Sequence, residues 1–463
     1  MRVALVNPPW MYKRLYTHGI YPPYGLLMLA TQLKLDGHDV HILDANAYDW
    51  DDARVQRELL ELDPEVLGIT VFTDTFAFVE RIGPWWKNQF PRRPLVLGGP
   101  LLSGAPHTLM RAGQADYGTL NEAFISGPAL FRALEKRLPI EAVGGLIVRK
   151  FGGELVLTGP TPTWENLDTL PLPDWELLPV ELYLQGGQQP FFHKRRLNRY
   201  LSTITTLGCA WRCSFCQVPE LYPGVRARDP QSVADEIALY RDKYAIESMY
   251  FRDDILFRPG KIADAIAKTT PGLQWSCLLR ADMMTDSALR RMSAGGCVEI
   301  RVGFESGDDH VLELANKKTQ VVDNRRCIEV ARKHGVDVSG FLIIGLPGET
   351  EDSLAATERF VREMQVRVSV HFPLPLPSTP LYRDVLAAGL LGDEAALLRK
   401  FSEPQLPGAV LQPPPINHTL LSNEQLVEWA LRIAEAGRAV DAEPTPDDSH
   451  GLGVVRAHAD APF

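Results

Sequence analysis

The sequence predicts an α/β protein built from two β/α regions in tandem, over about residues 1–140 and 201–385. Short apolar runs of strand length alternate with helix-period stretches in both regions, the pattern of parallel sheets covered by helices. The chain has 463 residues, more than one ordinary domain holds and enough for two sizeable cores. Between the regions lies a proline-rich segment, Thr158-Gly-Pro-Thr-Pro162 through Leu170-Pro-Leu-Pro-Asp174, of the composition expected at a domain boundary.

In the first region the candidate strands are Val3 to Val6, Val40 to Leu43, Val66 to Val71 and Leu95 to Leu97. Leu26, Leu27, Leu29, Ala30 and Leu33 recur at helical period between the first two, with Gly37 placed to end that helix. These strands run into Asn7-Pro8-Pro9, Thr70-Val-Phe-Thr73-Asp-Thr75 and Gly98-Gly99-Pro100, and open parallel sheets bind ligands at such carboxyl ends. Val143 to Leu157 reads as a hairpin turning at Gly152-Gly153; with the linker it fills residues 141–200. In the second region strands are expected at Thr203 to Thr206, Ser248 to Phe251, Trp275 to Leu279, Glu299 to Phe304, Val338 to Ile344 and Val366 to Val370. A helical extension over 386–440 follows, with an apolar stripe at Leu426, Trp429, Leu431, Ile433 and Ala434. Residues 441–463, with Pro444-Thr-Pro-Asp-Asp-Ser, carry no packing pattern and are expected to be a disordered tail.

A composition of 45% hydrophobic and 23% charged residues is that of a soluble globular protein. The net charge of −10 disfavours nucleic acid, whose phosphates demand a basic surface. No apolar run approaches the ~20 residues of a membrane span. Met1-Arg-Val-Ala-Leu-Val-Asn7 leads directly into a strand, so no signal peptide is expected and a cytoplasmic location is. There thiols stay reduced, and the six cysteines read as metal ligands plus core residues.

Cys209, Cys213 and Cys216 form a Cys-x3-Cys-x2-Cys run just after the strand Ser202 to Gly208. Three thiolates in one loop can hold a [4Fe–4S] cluster by three irons and leave the fourth open to chemistry. Zinc with a distant histidine is the other reading of three cysteines, but no second cysteine hook exists. Cys277, Cys297 and Cys327 are isolated and read as core. With Phe215 before the third cysteine, the run resembles that of the radical S-adenosylmethionine (SAM) superfamily. The resemblance implies a partial (β/α)6 TIM-type barrel, with SAM chelating the open iron and one electron releasing a 5′-deoxyadenosyl radical.

Other residues carry the resemblance through the second region. Tyr250-Phe-Arg-Asp253-Asp254 ends the second strand where the family meets the SAM amino group; either aspartate can serve, the other being placed to cap the next helix. Arg280 resembles an arginine that meets the SAM carboxylate, and a surface salt bridge is its alternative role. Gly303-Phe-Glu305-Ser306-Gly307, followed by Lys317-Lys-Thr319, resembles the ribose-binding strand end. Ser339-Gly340-Phe-Leu-Ile-Ile-Gly345-Leu-Pro-Gly-Glu-Thr350 resembles the strand along adenine. In Val370-His371 through Pro377-Ser378-Thr-Pro380, Ser378 replaces the glycine usual in relatives; His371 faces substrate or packs in its strand.

The first region resembles the cobalamin-binding domain that precedes many radical SAM barrels, through Asn7-Pro8-Pro9, Tyr21-Pro-Pro-Tyr-Gly-Leu-Leu-Met-Leu-Ala30, Gly37-His38-x-Val40 with Asp44, Gly68-Ile-Thr70 and Gly98-Gly99-Pro100. A Rossmann-like domain without cobalamin is the bland alternative. The Asp-x-His-x-x-Gly run that supplies a histidine beneath cobalt is missing, so no histidine lower ligand is expected and His38 and His41 read as surface and strand residues. Tyr117-Gly-Thr-Leu-Asn-Glu122 keeps only its glutamate from a Gly-Glu-Gly-Glu turn. Thr70 and Thr73 are placed to offer hydroxyls to the corrin, beside Gly98 and Gly99.

Together the two resemblances imply a cobalamin-dependent radical SAM enzyme, class B methylase-like, that methylates an unactivated carbon of a small metabolite, lipid or peptide. They also imply an electron donor such as flavodoxin or ferredoxin. A cyclase or rearrangement enzyme with the same cofactors, a tRNA methylthiotransferase and a non-catalytic cobalamin- or zinc-binding protein are the alternatives; acidity and the single cysteine motif oppose the methylthiotransferase.

Overall fold

The computed structural model describes residues 1–9, 22–184, 197–402 and 413–438. The expected tail at 441–463 and Tyr21 lie outside the described residues.

Strands β1 (Arg2–Asn7), β2 (Asp39–Asp44), β3 (Val66–Thr70), β4 (Leu95–Gly98), β5 (Tyr117–Thr119), β6 (Leu146–Arg149) and β7 (Leu155–Leu157) form one sheet in the order β2-β1-β3-β4-β5-β6-β7. The first five are parallel, while β6 and β7 add on antiparallel. Val3, Ala4, Leu5 and Val6 are all buried, as a strand covered on both faces requires. The hairpin expected as part of the linker therefore extends the first sheet: its strands are too short to bury an apolar face alone, and β5 gives them an edge. β5 itself opens the Tyr117 to Glu122 stretch, which departs from the Gly-Glu-Gly-Glu turn of relatives and keeps only Glu122. The chain leaves β1 for β2 on one side and reaches β3 on the other, so the loops after β1 and β3 part at a topological switch point, where such sheets open a crevice.

The second sheet contains β8 (Tyr200–Thr203), β11 (Ser248–Phe251), β12 (Gln274–Leu279), β13 (Cys297–Glu305), β14 (Asp337–Ile343) and β15 (Arg367–His371), all parallel, in the order β15-β14-β13-β12-β11-β8. Sequential strand order with helices between is the open six-unit barrel that the sequence predicts. The expected strand Thr203 to Thr206 divides: after β8 the chain turns into β9 (Thr206–Leu207), which pairs antiparallel with β10 (Arg226–Ala227) and brackets the cysteine loop. Cys277, Cys297 and Cys327 lie in the barrel's outer core, as expected.

The C-terminal extension serves both regions. Helix Asn423–Arg438 buries Leu426, Ala430 and Ile433 on the barrel side, against β15 and helix Glu351–Met364. Helix Glu394–Ser402 instead puts Leu397, Leu398 and Phe401 into the core of the first sheet, where Arg399 binds Glu80 at 2.8 Å. Among the described residues, no helix is long and apolar enough to cross a membrane.

Candidate functional site

All three cysteines are free thiols. Cys213 is buried, and Cys209 and Cys216 are partly so. The loop is held by backbone bonds from Cys216 N to Cys213 O (3.1 Å) and from Ser214 N to Ala315 O (2.9 Å). Phe215 packs against Val311, Ala315 and Leu346, so the aromatic before the third cysteine pins the loop to the end of β14.

Burial raises all three thiol pKa values, that of Cys216 to about 12; Cys209 adds to the rise at Cys213, and both add to it at Cys216. Arg280 and Lys317 oppose this at Cys209 and Cys213. Among the described residues no three His, Cys, Asp or Glu side chains converge as a closed metal-binding group. The donor chemistry nonetheless fits a [4Fe–4S] cluster: three disulfide-free sulfurs in one loop, thiolates unfavourable without a metal, and cationic neighbours.

Arg280 is buried, not a surface residue. Its guanidinium pairs with Asp282 at 3.0 Å, donates to Lys317 O at 2.7 Å, lies 4.0 Å from Cys213 Sγ and stacks 4.1 Å over Trp211. The adjacent aspartates separate by environment. Asp253 is buried and accepts from Thr205 N at 2.7 Å, from Thr206 N and from Thr205 Oγ1 at 3.2 Å. It therefore fixes the turn from β8 to β9 and caps no helix; the next helix, Pro259–Thr269, starts after Arg258 without a side-chain cap. Asp254 keeps part of its surface exposed, but burial around its carboxyl pushes it up to about 6 against the pull of Arg252, and it lies close enough to Cys209, Cys216 and Tyr222 to raise their pKa values. Of the pair, Asp254 faces the cysteine loop.

Glu305 ends β13 at φ +62°, where the register with β14 slips between Gly303 and Glu305, and the bulge aims its carboxylate inward. Lys317 Nζ meets it at 2.7 Å, with both side chains 7% exposed. Lys317 is the residue that sequence reasoning left without a role, although it stands in the Lys317-Lys-Thr319 run. Ser306 turns away: fully buried, it approaches Thr357 Oγ1 at 3.3 Å and accepts from Asp308 N. Gly340 also looks outward, the space of a side chain being filled by the Phe304 ring. Gly345, at φ +96°, donates its N–H to Glu349, whose carboxyl burial raises to about 8. His371, at the inner end of β15, is exposed at the surface of the barrel mouth, bonded to Ser369 Oγ at 2.8 Å and 6.0 Å from the Phe341 ring. It is not a packed core histidine; enclosure lowers its pKa, and Glu305 pulls the other way.

In the first domain, Asn7 donates to Asp44 at 2.8 Å, tying together the ends of β1 and β2 beside Pro8 and Pro9. Gly99, at φ +102°, lies against Val71 and Thr70 so closely that a Cβ would fall 2.7 Å from Val71 O, which brings the β3 and β4 loops together. Gly98 lies beneath Thr119. Thr73 is partly exposed, and its carbonyl accepts from Ser402 at 3.1 Å. His38, expected at the surface, is instead buried, its Nδ1 3.5 Å from Glu135, because the turn before β2 folds it under the end of the neighbouring helix; His41 is partly exposed in β2, and both stand away from these strand ends. Glu122 is not a free pocket wall: buried, it pairs with Arg226 of β10 at 2.6 Å and accepts from Trp164 N at 2.8 Å.

The carboxyl-end loops of the two sheets touch. Gln217, next to Cys216, donates to Pro100 O at 3.3 Å, and Arg252 beyond β11 donates to Pro22 O at 2.7 Å. The cysteine loop thus faces the Gly98-Gly99-Pro100 loop.

Comparison with known proteins agrees with this arrangement. The model of the B12 binding domain matches residues 15–126 and that of the radical SAM superfamily matches 203–361. An uncharacterized methyltransferase of Pyrococcus horikoshii is 28% identical over 402 residues, covering 84% of each chain. The anaerobic magnesium-protoporphyrin IX monomethyl ester cyclase of Rubrivivax gelatinosus is 26% identical over 380 residues, covering 78% of this chain and 66% of that one. The structure of the radical S-adenosylmethionine methyltransferase TsrM from Kitasatospora setae, with cobalamin and a [4Fe-4S] cluster bound, superposes with a TM-score of 0.66 at 20% identity, over 83% of this chain and 74% of that one. The chain therefore carries a B12-binding domain over residues 15–126 followed by a radical SAM domain over residues 203–361.

Proposed function

We propose that the protein is a cobalamin-dependent radical SAM methyltransferase acting on an unactivated carbon of a small metabolite, lipid or peptide. One observation carries the reading: the cysteine loop and the strand-end loops of the first sheet meet, joined through Gln217 and Pro100. When bound there, the cluster would supply the electron that cleaves SAM, and cobalamin the methyl group.

The chain's own residues bind and orient. Cys209, Cys213 and Cys216 hold the cluster, with Arg280 and Lys317 offsetting its thiolates. Asp254 receives the SAM amino group, because Asp253 is occupied in its turn. Glu305, steadied by Lys317, takes the ribose hydroxyls, and Ser306 supports its loop from behind. The strand passing Gly340 and Gly345 lies along adenine. The loops at Asn7, Pro8, Pro9, Thr70, Thr73, Gly98 and Gly99 would bear the corrin, and the contact between the two sets of strand-end loops would exclude water from the site. An electron donor such as flavodoxin or ferredoxin serves the cluster, and the reaction belongs to the cytoplasm.

Anaerobic reconstitution with iron, sulfide and cobalamin, followed by SAM and dithionite, tests this. Release of 5′-deoxyadenosine that disappears with iron in Cys213→Ala is the expected result. Neither cluster nor bound corrin in the wild type would overturn it. The cyclase relatives motivate a second reading, without methyl transfer; methyl-labelled SAM decides, since label enters product only in a methylase.

A further inference from the structure

We infer that Gln217 is a positioning residue that sets the spacing between the cysteine loop and the corrin-bearing loops; the inference rests on the functional reading above. Gln217 follows Cys216 directly and is buried. Its amide nitrogen donates to Pro377 O at 3.0 Å and to Pro100 O at 3.3 Å, and lies 3.4 Å from Ser378 Oγ. Pro100 opens the short helix after β4 in the first domain, whereas Pro377 and Ser378 belong to the exit from β15 in the barrel. One side chain beside a cluster-loop cysteine therefore spans both domains.

Three features show that the approach is built. The helix from Pro100 ends at Gly104, where a Cβ would lie 2.6 Å from the Gln217 nitrogen and 2.7 Å from Pro377 O, so the fit leaves no room for a side chain. An amide has two N–H donors, and here they face two carbonyls that would repel one another without a donor between them. Ser378 holds φ +76°, a left-handed backbone that favours glycine, and turns its hydroxyl toward the same amide. The cysteine loop is also fixed from the other side, Leu381 N donating to Ser214 O at 2.9 Å. With its barrel end anchored, the loop reaches the corrin side through Gln217. Loss of the amide frees the Gly98-Gly99-Pro100 loop while the cysteines stay as they are.

The test uses the full chain, reconstituted anaerobically with iron and sulfide, in wild type, Gln217→Met, Gln217→Glu and Ser378→Gly. Gln217→Met keeps the length and removes both donors; Gln217→Glu keeps the shape and sets a carboxylate against two carbonyls. Hydroxocobalamin is titrated by absorbance, with iron per chain and Tm followed in parallel. The expected result is iron and Tm as in wild type, a Kd for hydroxocobalamin raised at least five-fold in Gln217→Met and further in Gln217→Glu, and a Kd within two-fold of wild type in Ser378→Gly, which keeps both carbonyl bonds. Unchanged Kd in both Gln217 variants overturns the inference. So does loss of iron in both, which would make Gln217 a folding residue of the cysteine loop. Failure of the wild type to take up hydroxocobalamin sinks the functional reading itself, and is told apart because it precedes any comparison of variants.

Discussion

Glu305 shows how single residues prepare the cleft. A non-glycine residue at φ +62° is strained by about 1–3 kcal/mol, and its carboxylate is almost fully removed from water. Lys317 offsets both by pairing at 2.7 Å, itself nearly buried. Lys317→Met strands that carboxylate, and breaking a buried pair from one side costs about 3–5 kcal/mol. Denaturant unfolding of the apoprotein should show a midpoint lowered accordingly, with much of the loss recovered in Lys317→Met/Glu305→Gln. A single variant as stable as wild type would mean that water reaches Glu305. The chemistry of this pair was half legible: the Gly303 to Gly307 run marked Glu305, but a lysine 12 positions later gives no sign in sequence of which carboxylate it will meet. Asp253 and Asp254 were indistinguishable for the same reason, since only the fold sets one against the Thr205 and Thr206 amides and leaves the other open.

Elements were legible where burial is uniform. β1, β11 and β14 are near-continuous apolar runs because helices cover their sheets, and they begin and end within a residue or two of expectation. β5 escaped because three residues, Tyr117–Thr119, are too few for a period. Helix Glu394–Ser402 was visible as a helix, but its destination was not: it follows the barrel in sequence and packs on the first sheet through Phe401. The loop Gly345 to Glu349 carries a pH prediction. Burial lifts the Glu349 carboxyl from 4.5 to about 8, so between those values the folded chain binds the proton that the unfolded chain has released. That contribution to stability is fully present below pH 4.5 and is lost as pH rises through about 8. Glu349→Gln keeps an acceptor for Gly345 N–H and cannot ionise, so it should gain stability over wild type on the order of a few kcal/mol at pH 8 and almost none at pH 4.5. Thermal unfolding across that range checks it; a constant difference between the two proteins would mean that Glu349 titrates normally.

At the scale of the whole molecule, the relation between the two sheets decides function, and sequence could not supply it, because contacts such as Glu122 with Arg226 join residues more than a hundred positions apart. Among the described residues that pair is the most buried ion pair between the domains, with side chains 1% and 10% exposed, and Arg226 also donates to Trp164 O at 2.9 Å. Arg226 lies on β10 opposite Leu207, two residues before Cys209, so the strut runs from the end of β5 to the base of the cysteine loop. Desolvating two charges is expensive, and a buried pair often contributes little over an apolar replacement of the same volume. Its value here is geometric: one nitrogen of the rigid guanidinium meets Glu122 and another meets Trp164 O, which fixes direction as well as distance. Two consequences separate geometry from stability. Arg226→Met leaves Glu122 buried and uncompensated and should lower stability by about 3–5 kcal/mol. Arg226→Met/Glu122→Gln removes the stranded charge and should return most of that, yet it does not restore the strut. The double variant is therefore expected to unfold near the wild-type midpoint while cleaving SAM at least several-fold more slowly with dithionite. Unfolding and 5′-deoxyadenosine release, measured on the same reconstituted preparations, decide it: full recovery of both would reduce the pair to a stability contact, whereas recovered stability with slow cleavage assigns it to holding the domains in register.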